Sequence, residues 1–236
     1  MSLDDRKVKK FWESQAKKVG CVNPEGIANL EEDPQLLDLK VKKEKEKIFS
    51  LLHLQKSMKL LDLGSGTGQW SFLFAKHVDS VYGVEYSKGM YEIAIKRKEQ
   101  LGVKNVNFIN EKAQKFKSNE LYDVIFISGL IIYLNDGDFN LLLNNIENCS
   151  HLDTIILLRD GTAINRRHEI KNQYSKNLKS YYSATYRTSD MYIDSFRKQG
   201  FQLIKDEDIF EKESPLNKWE ETRLRVYLFK YGGRNV

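Results

Sequence analysis

The stretch KLLDLGSGTGQWSFLFAKHVDSVYGVEYS, from Lys59 to Ser87, limits what this chain can fold into more than any other. It opens with an apolar run, Leu60, Leu61 and Leu63, broken by Asp62, and passes directly into Gly64, Ser65, Gly66, Thr67 and Gly68. An apolar run ending in glycines reads as a buried strand that enters a tight turn. Trp70, Phe72, Leu73, Phe74 and Ala75 then supply the inner side of a helix, and Val81 to Val84 make a second strand that ends at Glu85. Strand, glycine loop, helix, strand and acid form one nucleotide-binding βαβ unit. Glycines let the loop turn tightly and let a ligand press against bare backbone. Glu85, 17 residues after Gly68, stands at the end of the neighbouring strand, where a carboxylate accepts hydrogen bonds from both hydroxyls of a ribose.

LDLGSGTG followed by GVEYS resembles the first two motifs of the class I S-adenosylmethionine-dependent methyltransferases, of the small-molecule type. A dinucleotide fingerprint wants its third glycine where this chain has Gln69, so the G-x-G-x-G spacing favours the methyltransferase resemblance over an NAD enzyme. The resemblance implies an α/β fold with a Rossmann-like, seven-stranded, mostly parallel sheet, an antiparallel last strand and helices on both faces. It implies S-adenosyl-L-methionine as cofactor, with contacts from Asp62, Gly64, Ser65, Gly66, Gly68, Trp70, Glu85 and Tyr86, and from Ser128 and Gly129 after the fourth strand. In that family an acid after the third strand often takes the adenine amino group, usually as Asp followed by Ala. This chain reads Glu111, Lys112, Ala113, Gln114, which puts a donor, Lys112, at the aligned position. Glu111, Gln114 and the backbone at Ala113 stay open as sources of the contact.

A chain of 236 residues, 41% hydrophobic and 11% aromatic, is long for one domain and short for two. The expected division is a helical extension over residues 1–56 and a methyltransferase domain over 57–236, with a substrate lid inserted at 161–189. A net charge of +5 with dispersed lysines allows nucleic acid without indicating it. The three prolines, at 24, 34 and 215, form none of the motifs that methyltransferases use on nucleic-acid bases, so no nucleic-acid partner is expected. Cys21 and Cys149 lie far apart with no metal-type spacing, which points to a reducing compartment and no bound metal. The longest uncharged apolar run, between Asp123 and Asp136, is too short for a bilayer, and MSLDDRKVKK lacks a signal-peptide core. The expectation is a cytoplasmic protein without membrane insertion, a monomer or homodimer.

Before the first strand, Phe11, Trp12, Ala16 and Val19 recur at helical spacing, and a second helix is read from Gln35 to Leu54 after the irregular stretch VNPEGIANLEEDP. Its middle, KVKKEKEK, reads as a solvated face with opposite charges three or four residues apart. Helices are expected from Ser87 to Gly102, from Asp138 to Asn148 and from Ser189 to Gly200. Strands are expected at 106–110, 123–128, 154–160, in FQLI and in RLRVYLFKY, with 161–189 irregular.

Methyl transfer from a sulfonium needs alignment of the acceptor and removal of its proton rather than a nucleophilic triad. Asp160, at the end of the fifth strand, is read as general base or acceptor anchor, or else as the cap of a turn with Gly161. His168 has an intrinsic pKa suited to a proton transfer, or is a surface residue beside Arg166 and Arg167. Tyr133 either binds the acceptor or packs against its loop. By the resemblance, Phe11 and Trp12 line the substrate mouth, or pack on the sheet. Tyr182, Tyr186 and Arg187 form a wall for a polar or anionic acceptor, or a lid packed on itself. Arg223 and Arg225 face solvent or pair with acids such as Glu220 and Glu221. The leading expectation is an O- or N-methyltransferase of a small polar acceptor such as a sugar, phospho-compound or amine metabolite, possible in surface-glycan or specialised-metabolite synthesis. The competing readings are a protein-modifying methyltransferase and a non-catalytic partner that only binds the cofactor.

Overall fold

The structure is a computed structural model that describes residues 3–19, 33–175 and 178–233. Cys21, the side chain of Val19 and nearly all of the irregular stretch from Val22 to Pro34 lie outside the described residues. Helix α1 (Asp5–Val19) and helix α2 (Pro34–Leu51) precede the sheet. The Asp33 carboxylate starts α2 by accepting from Gln35 N at 2.8 Å, with Pro34 behind it.

Strand β1 (Lys59–Leu63) lies between β2 (Ser80–Glu85) and β4 (Tyr122–Ser128), parallel to both. Strand β3 (Val106–Asn110) extends the sheet beyond β2, and β5 (Ser150–Ala163) extends it beyond β4. The last strand, β9 (Thr222–Tyr231), runs antiparallel to β5 and carries β8 (Phe201–Asp208) on its far side. Helices α3 (Gln69–Phe74), α4 (Lys88–Leu101), α5 (Asp136–Asn148) and α6 (Ser189–Arg197) connect the strands. The central strands are buried on both faces with a period of two. Val124 and Phe126 join α2 and α3 in one core cluster, while Ile125 and Ile127 join α5 and α6 in the other. Strand order reverses between β1 and β4, so the cleft at their carboxyl ends is the switch point where open α/β sheets take ligands.

Three stretches depart from the sequence reading. Residues 161–189 are not irregular: they hold a hairpin of β6 (His168–Ser175) and β7 (Ser180–Thr188), which brings the sheet to nine strands. β6 is largely exposed, so HEIKNQYS carries no apolar alternation to reveal it. β5 continues past Asp160 through Gly161 to Ala163, because β9 pairs with it along Ile155–Ala163 and β7 pairs at Thr162 and Ala163. Asp160 therefore sits inside a strand rather than at its end. The charge run of α2 is solvated only in part, since Lys42 and Glu46 are exposed whereas Glu44 is buried at 7% exposure. At one residue per 100° of turn, Glu44 falls on the stripe of Ile48 and Leu51, which reaches the core. Among the described residues no helix is long and apolar enough to cross a membrane.

Candidate active site

Two cavities open at the carboxyl ends of the central strands. The first, ≈ 210 Å³, is bounded on the sheet side by the glycine loop after β1, Glu85 and Tyr86 after β2, Ala113 and Gln114 after β3, and Ser128 and Gly129 after β4. Asp62 and Trp70 also reach it. Its other side comes from helices: Asp5, Val8 and Trp12 of α1, and Lys40, Val41 and Glu44 of α2.

The glycine loop is held open by backbone geometry. Gly64, Gly66 and Gly68 take φ of +79°, +56° and +78°, a region that side-chain-bearing residues rarely enter. A Cβ at Gly68 would also meet the Phe108 ring at 2.7 Å, so this glycine shapes the loop without lining the cavity. Gly66 N donates to Glu85 Oε2 at 2.8 Å and Ser87 N donates to Glu85 Oε1 at 2.6 Å, which fixes the carboxyl at the cavity floor. Ser71 Oγ donates to Asp62 Oδ2 at 2.5 Å. Burial pushes the carboxyls of Glu85 and Asp62 up to about 7. Ser65 Oγ is buried without a hydrogen-bond partner at the edge of the same space.

Glu111 and Lys112 do not line this cavity. Glu111 accepts from Lys112 N at 2.9 Å, and the Lys112 ammonium turns outward to Asp5 Oδ2 at 2.7 Å. Tyr86 donates its hydroxyl to the same Asp5 oxygen at 3.1 Å. The chain that has Lys112 where the resemblance expects an acid thus brings an acid there on α1.

The second cavity, ≈ 190 Å³, shares Trp12, Lys40, Gly129, Tyr133 and Arg159 with the first. Phe11, Tyr182, Tyr186 and Asp160 complete its inner part. Tyr133 stacks on Phe11 with ring centroids 6.3 Å apart and meets Trp12 edge-on at 5.2 Å. Gly161 is needed here because a Cβ would lie 2.6 Å from Tyr186 Cε1, and its absence lets that ring lie against β5. Asp160 is fully buried and accepts from Ile132 N at 3.2 Å and Gly161 N at 2.9 Å. Burial, only partly offset by these bonds, pushes its carboxyl up to about 7. Burial likewise raises the hydroxyls of Tyr133 and Tyr186, which therefore stay protonated donors. Four cations, Lys40, Arg159, Lys218 and Arg223, line this space against one acid, Asp160.

Two residues read as site groups lie elsewhere. Arg187 is 1% exposed and lines neither cavity. It donates to Ile131 O at 3.0 Å, to Leu134 O at 2.8 Å and to Asp136 Oδ1 at 2.6 Å, clamping the turn that carries Tyr133. His168 packs beside Tyr186 with ring centroids 5.9 Å apart, one strand further from β5, and only Tyr186 reaches the cavity. Arg225 pairs with Asp206 and Asp208 of β8 rather than with Glu220 or Glu221. Sequence reasoning missed Asp5, Lys40, Glu44 and Arg159. The only signal for Glu44 was its register, four residues before Ile48 on the apolar stripe of α2.

A family model described as a methyltransferase domain matches residues 54–219. Phosphoethanolamine N-methyltransferase 1 of Triticum aestivum is 25% identical over 60% of this chain, and malonyl-[acyl-carrier protein] O-methyltransferase of Bacillus anthracis is 32% identical over 43% of it. These matches span 28% and 36% of the two relatives' own lengths. Among solved structures, Haemonchus contortus phosphoethanolamine N-methyltransferase 1, bound to phosphoethanolamine and S-adenosylhomocysteine, superposes with a TM-score of 0.71 at 17% identity, over 99% of this chain and 51% of that one. A SAM-dependent methyltransferase from Leishmania major superposes with a TM-score of 0.67 at 21% identity, over 95% and 82% of the two chains. At these identities the structural likeness is one of fold.

Proposed function

The chain belongs to the methyltransferase-domain family, and from that premise we propose that it is an S-adenosylmethionine-dependent methyltransferase of a small polar acceptor bearing negative charge. The observation that carries this reading is the pair of adjoining cavities with a common wall at Tyr133, Gly129 and Arg159. An in-line displacement needs donor and acceptor side by side, and two cavities that share a wall favour that placement.

The first cavity fits the cofactor on three counts: a glycine loop open to close approach, a fixed carboxyl at Glu85 for two ribose hydroxyls, and the unpartnered Ser65 Oγ. When bound, S-adenosylmethionine supplies an activated methyl on a sulfonium, with a thioether as leaving group. Asp5, steadied by Lys112 and Tyr86, offers the acceptor that an adenine amino group needs, in place of Glu111, which does not reach the cavity. In the second cavity Asp160 takes the proton from the acceptor's hydroxyl or amine, and a carboxyl near 7 suits a general base at neutral pH. Tyr133 and Tyr186 orient the acceptor by donating hydrogen bonds. Arg223 and Lys218 balance an anionic group, in keeping with the wheat relative, which is named for a phosphorylated amine.

Label transfer from methyl-labelled S-adenosylmethionine to matched phosphorylated and dephosphorylated sugars and amino alcohols tests the assignment. Label is expected in phosphorylated members alone. Transfer confined to neutral members would overturn the anionic acceptor, and transfer confined to protein would favour the protein-modifying reading.

A further inference from the structure

Glu44 is a charged side chain at 7% exposure, on a helix outside the sheet, in a stretch where Lys42 and Glu46 point to water. A carboxylate so placed is costly unless it is partnered. Its contacts account for one oxygen only: Oε1 accepts from Arg159 Nη2 at 2.6 Å and lies 3.9 Å from Lys40 Nζ. Arg159 is anchored in turn by donating from Nη1 to Ser128 Oγ at 3.2 Å. All three charged residues line the first cavity, with Arg159 on β5, whereas Glu85 ends β2, three strands across the sheet, with Tyr86 next to it and Asp5 bonded to Tyr86. The cavity therefore has an acid for sugar hydroxyls at one end and a paired acid and base at the other.

We propose that Glu44 and Lys40 grip the amino-acid end of the cofactor as a zwitterion. Glu44 Oε2 accepts from the α-ammonium and Lys40 Nζ donates to the α-carboxylate, while Arg159 holds Glu44 in place. The two ends of a zwitterion carry opposite charges a few bonds apart, which matches an acid and a base four residues apart on one helix face. The proposal rests on the cofactor reading above and assigns to α2 the discrimination between a complete cofactor and a nucleoside fragment.

Calorimetry with S-adenosylhomocysteine and with 5′-methylthioadenosine, which keeps the nucleoside and lacks the amino-acid end, tests it. Wild type should bind S-adenosylhomocysteine at least about tenfold more tightly than the fragment, and Glu44→Gln should remove about tenfold of that preference while leaving the fragment's affinity unchanged. Lys40→Met, at a partly exposed position, should cut the preference in the same selective way. Equal loss for both ligands, or no loss for either, would overturn the assignment and leave the pair a fold contact. Failure of wild type to bind either ligand would instead overturn the cofactor reading, and this proposal with it.

Discussion

Asp160, Glu85 and Asp5 carry most of the proposed chemistry at the scale of single residues, and each makes a separate prediction. Asp160→Asn keeps the shape and removes the base, so kcat should fall about 10²- to 10⁴-fold with cofactor affinity unchanged. The wild-type rate should rise with pH through about 7 as the Asp160 carboxyl ionises, a limb the variant should lack. Asp5→Asn should weaken S-adenosylhomocysteine while leaving S-inosylhomocysteine, whose base lacks the amino group, nearly unaffected; equal loss of both would remove Asp5 from adenine recognition. Glu85 was legible as a strand end because the apolar run of β2 stops at it, whereas Asp160 was read as a strand end that in fact lies three residues further on, at Ala163. Asp5 was not legible, because its partner Lys112 lies 107 residues away and nothing local links the two.

Elements explain what single residues do not. The sheet order was readable because its central strands are near-continuous apolar runs separated by glycine and helix signals. The β6–β7 hairpin was hidden by its exposed face, and with it the true setting of Arg187. That guanidinium holds the turn between β4 and α5 by bonds to two carbonyls and Asp136, and its plane lies over Phe139 at 5.0 Å. Arg187→Met should destabilise the fold by about 3 kcal/mol, since it strands buried acceptors, and the urea midpoint measures this. Unchanged stability with a raised acceptor KM would return Arg187 to the acceptor wall. Helix α2 shows the same limit of sequence reading: a run of alternating charges looks uniformly solvated until the helix is seen to turn Glu44 inward.

At the scale of the whole molecule, three buried carboxyls among the described residues, Asp62, Glu85 and Asp160, have folded pKa values raised to about 7. A group raised in the folded state stabilises fully below its unfolded pKa, and that contribution is lost as pH rises through the folded value. The ligand-free protein should therefore unfold at lower urea at pH 8 than at pH 6. Cofactor binding should have the opposite dependence, because ribose hydroxyls donate to the ionised form of Glu85 and favour it. The central claim, that the glycine loop and Glu85 hold a nucleoside beside an acceptor cavity, is tested most directly by calorimetric titration of S-adenosylhomocysteine into wild type and Glu85→Ala at pH 8. The account predicts tight one-to-one binding that the substitution weakens by about 1.5–3 kcal/mol, the range for hydrogen bonds to a charged group. Binding that Glu85→Ala leaves untouched, or no binding to wild type, would contradict it.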